Sequence, residues 1–179
     1  MTSLMHELPH TIEQRDALDK VAKPLGRLAG ELDSHEGLSN VLQGIPWLGH
    51  PLHPVLTDYP IGFWSSAMLL DLVGGERTDA AADTLIGFGI AAAVPTAAAG
   101  VAEYARVTKP TTRVATVHAM ANSVALTLMT ASFMARKAGN RRLGRTLSMV
   151  GSAAMLAGGY LGGHLTYGKG VGVEEDGSA

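Results

Sequence analysis

The sequence predicts an all-α protein: an integral membrane bundle of four up-and-down helices, preceded by an N-terminal amphipathic helical segment. Three observations predict it. Four apolar stretches between residues 55 and 167 each approach the ~20 residues that cross a bilayer core. The linkers between them are short (residues 75–79, 106–113 and 136–145), which makes consecutive helices antiparallel neighbours. Stretches two to four lack the polar stripe that an amphipathic helix of a water-soluble bundle carries.

Composition agrees with this reading. The 179 residues suit one domain. A mean hydropathy of +0.16 averages two unlike parts. Residues 1–50 are polar and carry both signs of charge, whereas residues 55–168 are mostly Ala, Gly, Leu, Val, Met and Thr. The net charge of -2 offers no field to attract nucleic acid. Cysteine is absent, which excludes disulfides, thiolate metal sites, Cys-ligated iron–sulfur clusters and covalently attached haem. No apolar h-region occurs between Met1 and Asn40, so the first membrane helix is the expected insertion signal. The expected location is the cell membrane, multi-pass, with the lipid bilayer as the first partner.

The chain divides into an N-terminal segment (1–48), the helical bundle (49–168) and a tail (169–179). In the first, Ile12, Leu18, Val21, Ala22, Leu25, Leu28 and Leu32 recur at helical spacing among charged residues, the pattern of an amphipathic helix. Pro24 should break or kink it. Leu38, Val41 and Leu42 add a shorter apolar patch. These pieces can lie on the membrane surface, or pack on the bundle or a second copy of the chain. Pro46, Pro51 and Pro54 forbid regular helix across residues 44–54. Trp47 suits a membrane–water interface.

The first apolar stretch runs from about Val55 to Val73 and ends at Gly74-Gly75. The second runs from about Ala81 to Ala102, with a kink expected at Pro95. The third runs from about Val114 to Ala135 and the fourth from about Leu147 to Tyr167. Asp58, Asp71 and Asp83 are the residues that speak for a soluble bundle instead; Asp71 and Asp83, beside the first loop, read as ordinary interfacial solvated groups. Gly158/Gly162 and Gly159/Gly163 are small-xxx-small pairs that permit close helix approach or leave room for a flat cofactor. Lys and Arg flank both ends of the bundle, with a surplus at Arg77, Arg136, Lys137, Arg141, Arg142 and Arg145 that leans toward a cytoplasmic location for that face. The tail, Gly-rich before Glu174, Glu175 and Asp176, reads as a flexible acidic end.

Following the up-and-down topology brings four of the seven histidines to one layer. His50 and His53 precede the first stretch, His118 lies about one turn into the third, and His164 about one turn from the end of the fourth. Asp58, Glu103, Asn122 and Tyr167 fall in or near this layer. Polar groups at membrane depth are costly and suggest function. Three uses compete. Haem b takes axial imidazoles from facing helices of a bundle; His118 and His164 are the first choice of pair, with His53 as substitute for either and His50 close by. A non-haem metal, zinc, iron, copper or manganese, suits imidazole with carboxylate, here His50 and His53 with Asp58 or Glu103. The layer can also be structural or handle protons. His6, His10 and His35 read as solvated. No GxSxG, Walker, HExxH or dinucleotide signature occurs.

At Gly49-His50-Pro51-Leu52-His53-Pro54-Val55-Leu56-Thr57-Asp58-Tyr59-Pro60-Ile61-Gly62, and again at His118–Asn122 and Gly158–His164, the chain resembles the small membrane proteins grouped as domain of unknown function 2231, over about Ala17 to Val173. The resemblance implies a four-helix membrane domain akin to b-type cytochromes. Relatives that carry a Rieske [2Fe–2S] domain directly after this region imply a redox role and, for a sequence ending at Ala179, a separate Rieske-type or other redox partner. The expectation is an electron-transfer subunit binding haem b; the alternatives are a non-catalytic scaffold or assembly subunit and a non-haem metal-binding protein, with a second copy of the chain as a further candidate partner.

Overall fold

Helix boundaries in this chain are set by glycine and proline. Gly49 ends one short helix in the left-handed region at φ +81°, and Gly139 joins two long helices at φ +82°, conformations open to glycine at no steric cost. The computed structural model describes residues 4–173, with side chains from residue 7 onward. The helices are α1 (Leu4–Glu13), α2 (Leu18–Asp33), α3 (Glu36–Gln43), α4 (Ile45–Leu48), α5 (Leu52–Val73), α6 (Asp79–Tyr104), α7 (Thr111–Lys137) and α8 (Arg141–Gly163). A 3₁₀ turn, Glu76–Thr78, precedes α6, and a π-helical turn, His164–Gly168, continues α8. Among the described residues there is no strand. The chain is all-α, as the periodicity predicts.

Prolines punctuate less than expected. Pro24 lies inside α2, Pro60 inside α5 and Pro95 inside α6. The proline block at 44–54 does interrupt helix, but only between α4 and α5, so His53 falls in the first turn of α5 and His50 outside it.

The helices form two compact units. The first comprises the chain through His53, Ala97–Ala119, and the chain from Gly159; the second comprises Pro54–Thr96 and Met120–Gly158. The core of the first unit gathers Ala29, Tyr104, Val114, Ala115, Leu161 and Leu165, with Ile12 and Leu25 packed against it. Part of the apolar face of α1 and α2 (Ile12, Leu25 and Ala29) is therefore turned into the protein, whereas Leu8, Val21 and Leu28 are exposed. Arg113 reinforces this docking: its Nε donates to Asp19 at 2.8 Å and its Nη1 to the Glu13 carbonyl at 2.5 Å, while Lys109 reaches Asp19 at 2.9 Å. Lys169 pairs with Glu13 at 2.7 Å, and Val171 packs on the same core. Residues 169–173, expected as tail, are thus part of the first unit; Glu174, Glu175 and Asp176 lie outside the described residues.

In the second unit Trp64, Ala93, Ala125, Met129 and Met155 form the core. The Trp64 indole donates to the Ile86 carbonyl at 3.3 Å and lies so close to Gly89 that any Cβ there would strike the ring.

Two of the four expected spans are long and apolar enough to cross a membrane. They are Glu76–Tyr104, with mean hydropathy 1.8, and Thr111–Lys137, with 1.3. Only 33% and 28% of their apolar windows are buried inside the protein, unlike the core helices of a soluble bundle. The other two stretches form helices α5 and α8 but fall short in apolarity. Asp58 and Asp71 lower α5; glycine and serine, from Ser148 to Gly163, dilute α8. Leu69, Leu72 and Val73 on α5 and Met149, Val150 and Leu156 on α8 are nonetheless exposed, an amount of bare apolar surface that water-soluble monomers rarely present.

Candidate functional site

Histidines of the first unit lie in pairs. The rings of His53 and His118 have centroids 6.2 Å apart and planes at 87°. Each ring is backed by a glycine of another helix. A Cβ at Gly100 would lie 2.8 Å from His53 Cε1, and one at Gly162 would lie 2.9 Å from His118 Cε1. Real Cβ atoms do not approach so closely, so these two glycines are what admits the imidazoles to the backbones of α6 and α8. Gly162 belongs to the small-xxx-small pairs seen in the sequence: the hollow it leaves is filled by a histidine. In the second unit Gly158 leaves the same kind of hollow for the Asn122 amide.

His164 opens the π-helical turn, an irregularity frequent at functional sites. Its neighbour is His10, with ring centroids 6.2 Å apart and planes at 83°. Of the pair expected as axial ligands, His118 has the ring of His53, the expected substitute, edge-on beside it, and His164 has that of His10. His10, read as solvated, has an exposed ring that borders His164 and stands 3.6 Å from Glu13. Burial works against the Glu13 charge, but Lys169 and His10 outweigh it and hold the carboxyl below its ordinary value. The His6 side chain lies outside the described residues, and His35 is exposed.

The remaining candidates are placed differently. His50 is exposed, its Nδ1 3.3 Å from the Pro51 carbonyl. Asp58 is exposed, and Tyr167 is 91% exposed. Glu103 is half-buried, with Oε1 shielded from solvent and without a hydrogen-bond partner. Among the described residues, no three or more His, Cys, Asp or Glu side chains are grouped to hold a metal ion, so the non-haem set of His50, His53, Asp58 and Glu103 is not assembled. His53 and Glu103 instead line a cleft of about 360 Å³ together with Arg106, Lys169, Leu42 and Ile45. That volume lies in the range of small-molecule sites.

The second unit holds a cluster that sequence reasoning missed. Asp71 and Asp83 are not solvated. The Arg136 side chain is 0% exposed and Asp71 4% exposed, and the two form a bidentate pair. Arg136 also reaches Asp83 at 3.3 Å and Ser148 Oγ at 3.0 Å, and its Nε donates to Ser132 Oγ at 3.1 Å. Arg141 bonds Asp83 at 2.7 Å and Asp79 at 3.0 Å, while Arg145 bonds Asp79 at 2.8 Å. Three arginines thus meet three aspartates drawn from α5, α6, α7 and α8. The signal was available: Asp79 and Asp83 on α6, and Arg141 and Arg145 on α8, are each four residues apart, on one helical face.

A family model described as "Predicted membrane protein (DUF2231)" matches residues 49–175. The chain belongs to this family. The DUF2231 match begins at the Gly49-His50-Pro51 block and takes in α5 to α8 with both members of the His53–His118 pair, whereas α1 to α4 precede it. No curated protein and no solved structure matches the chain.

Proposed function

We propose that this DUF2231 membrane protein is an electron-transfer subunit that crosses the membrane with four helices and holds haem b between His53 and His118. The observation that carries the reading is the perpendicular pair of rings at 6.2 Å. Imidazole nitrogens bind metal ions at about 2.0 to 2.1 Å, so two rings on opposite sides of one ion have centroids roughly 6 Å apart. The donor number fits as well. Two imidazoles alone leave zinc or non-haem iron short of ligands, whereas a porphyrin supplies the rest. Bound haem would supply one-electron transfer. The chain's own part is to hold the imidazoles: Gly100 and Gly162 let each ring sit against a helix backbone, which fixes its direction. By the family resemblance, the partner is a Rieske-type or other redox protein.

A second reading rests on the same glycines. The rings already fill the hollows beside Gly100 and Gly162, as they would in a non-catalytic scaffold whose histidines only pack. Absorption spectra of the detergent-purified protein, oxidised and dithionite-reduced, separate the two. A Soret band that shifts, with sharp reduced α and β bands lost in both His53→Ala and His118→Ala but kept in His50→Ala, supports haem. A flat spectrum from folded protein made with ample haem leaves the scaffold.

A further inference from the structure

We propose that the arginine-rich end of the second unit binds the phosphate headgroup of an anionic phospholipid. Six cations (Arg77, Arg136, Lys137, Arg141, Arg142 and Arg145) stand there with four carboxylates (Asp71, Glu76, Asp79 and Asp83). The three aspartates are consumed by Arg136, Arg141 and Arg145. Lys137 lies over the Phe133 ring, 5.2 Å from its centroid. Arg142 and Arg77 have no ion-pair partner among the described residues, and only Glu76 is left to oppose them.

Helix electrostatics sharpen the imbalance. Arg141 and Arg142 open α8, whose first turn holds no acidic residue. The start of a helix is already electropositive and attracts anions, so cations placed there are unfavourable unless anions meet them. Arg141 Nη1 is shielded from solvent without a hydrogen-bond acceptor, and Arg145 Nε has only the Asp71 carboxylate 3.5 Å away.

The shape matches an amphiphile rather than a free anion. Arg142 and Arg145, like Thr146 and Met149, are three residues apart along α8, and Arg142 and Thr146, like Arg145 and Met149, four apart, so the set shares one helical face. With Arg141, Glu76 and Asp79, the last held by Arg141 and Arg145, they line an open cavity of about 580 Å³. Met149 is 51% exposed and Leu156, one further turn pair along, 65% exposed. The face therefore presents guanidinium groups, then a hydroxyl, then bare apolar side chains, in the order of a phospholipid's phosphate, ester region and acyl chain. Arginine recognises phosphate oxygens bidentately, and basic residues at a membrane surface select anionic lipid.

The test is native mass spectrometry of the full-length protein in detergent, titrated separately with phosphatidylglycerol, phosphatidylcholine and inorganic phosphate. Phosphatidylglycerol should bind severalfold more tightly than phosphatidylcholine, and Arg142→Gln should weaken it about fivefold, the effect of one surface cation. Arg142→Lys should keep most of the preference. Because Arg142 belongs to no ion pair, these variants keep the aspartate–arginine network, and unchanged thermal unfolding checks that. Equal binding of the two lipids overturns the proposal. So does phosphate competing fully at millimolar concentration, which marks a free-anion site, or an undiminished preference in Arg142→Gln, which puts the lipid elsewhere.

Discussion

The two units hold their polar groups inside by opposite means. The second unit buries full charges in matched pairs, three arginines on three aspartates across four helices. The first unit seats half-buried imidazoles against glycine, and keeps most of its ion pairs nearer the surface, where α1 and α2 dock. The difference teaches a division of labour. A buried charge pair is intolerant of losing one partner, because the other is left uncompensated; that suits a clamp. An imidazole is a side chain able to ligate a metal or exchange a proton; that suits a site.

The comparison predicts its largest effect at the clamp. Arg136→Ala leaves Asp71 buried with only the longer contacts to Arg145 at 3.5 Å and Ser148 at 3.4 Å, and should destabilise the protein by about 3–5 kcal/mol, read as thermal unfolding in detergent. Asp71→Leu with Arg136→Met should recover most of the loss, since Asp83 keeps Arg141 and Asp79 keeps Arg145. A single variant that costs less than about 1 kcal/mol, the scale of a surface pair, would remove the distinction between the units.

The next effect sharpens the view of the first unit. Gly162→Ala drives a methyl group into the His118 ring and should cost about 1–3 kcal/mol by overpacking, with loss of whatever pigment the wild type carries. Gly159→Ala is its control. Nothing lies within 4 Å of a Cβ at Gly159, so the change should be neutral or stabilise by up to about 1 kcal/mol through helix propensity. Equal effects at the two glycines would mean that His118 is not held by close packing.

These contrasts mark how much was legible in the sequence. The all-α class, the four long helices α5 to α8 and the membrane class follow from hydropathy, which needs no knowledge of partners. The convergence of His53 and His118 follows from topology, because short linkers force α5 to α8 into register. The pairing within the layer does not follow. Whether His118 faces His53 or His164 depends on helix rotation of a few tens of degrees, and α6 and α7 lack a polar stripe to set that rotation. The solvated reading of Asp71 and Asp83 failed for a different reason. A carboxylate beside a loop looks identical whether water or an arginine from sixty residues away meets it; only the folded pairing to Arg136 tells them apart. Pro24 misled because a helix held by Ala29, Leu25 and Arg113 tolerates the one backbone hydrogen bond that proline removes.

The smallest effect concerns the docking of α2 and is local. Asp19 is held well below the ordinary carboxylate range, chiefly by its hydrogen bond from Arg113 and then by that from Lys109, against a smaller opposing contribution from burial. Asp16 shares Arg113 at 2.5 Å. An undocked α2 returns Asp19 to its usual value of about 3.9. The docked state therefore binds fewer protons wherever the pH lies between the two values. The attachment is complete above about pH 4 and weakens as the pH falls through and below it. Hydrogen exchange of the α2 amides, corrected for intrinsic rates, should show protection that declines between pH 5 and pH 3. Asp19→Asn should start from lower protection and decline less, retaining the part contributed by Glu13 and Lys169. Identical profiles in wild type and variant would mean that packing of Leu25 and Ala29 alone holds α2, and that the first unit, unlike the second, owes its assembly to no ion pair.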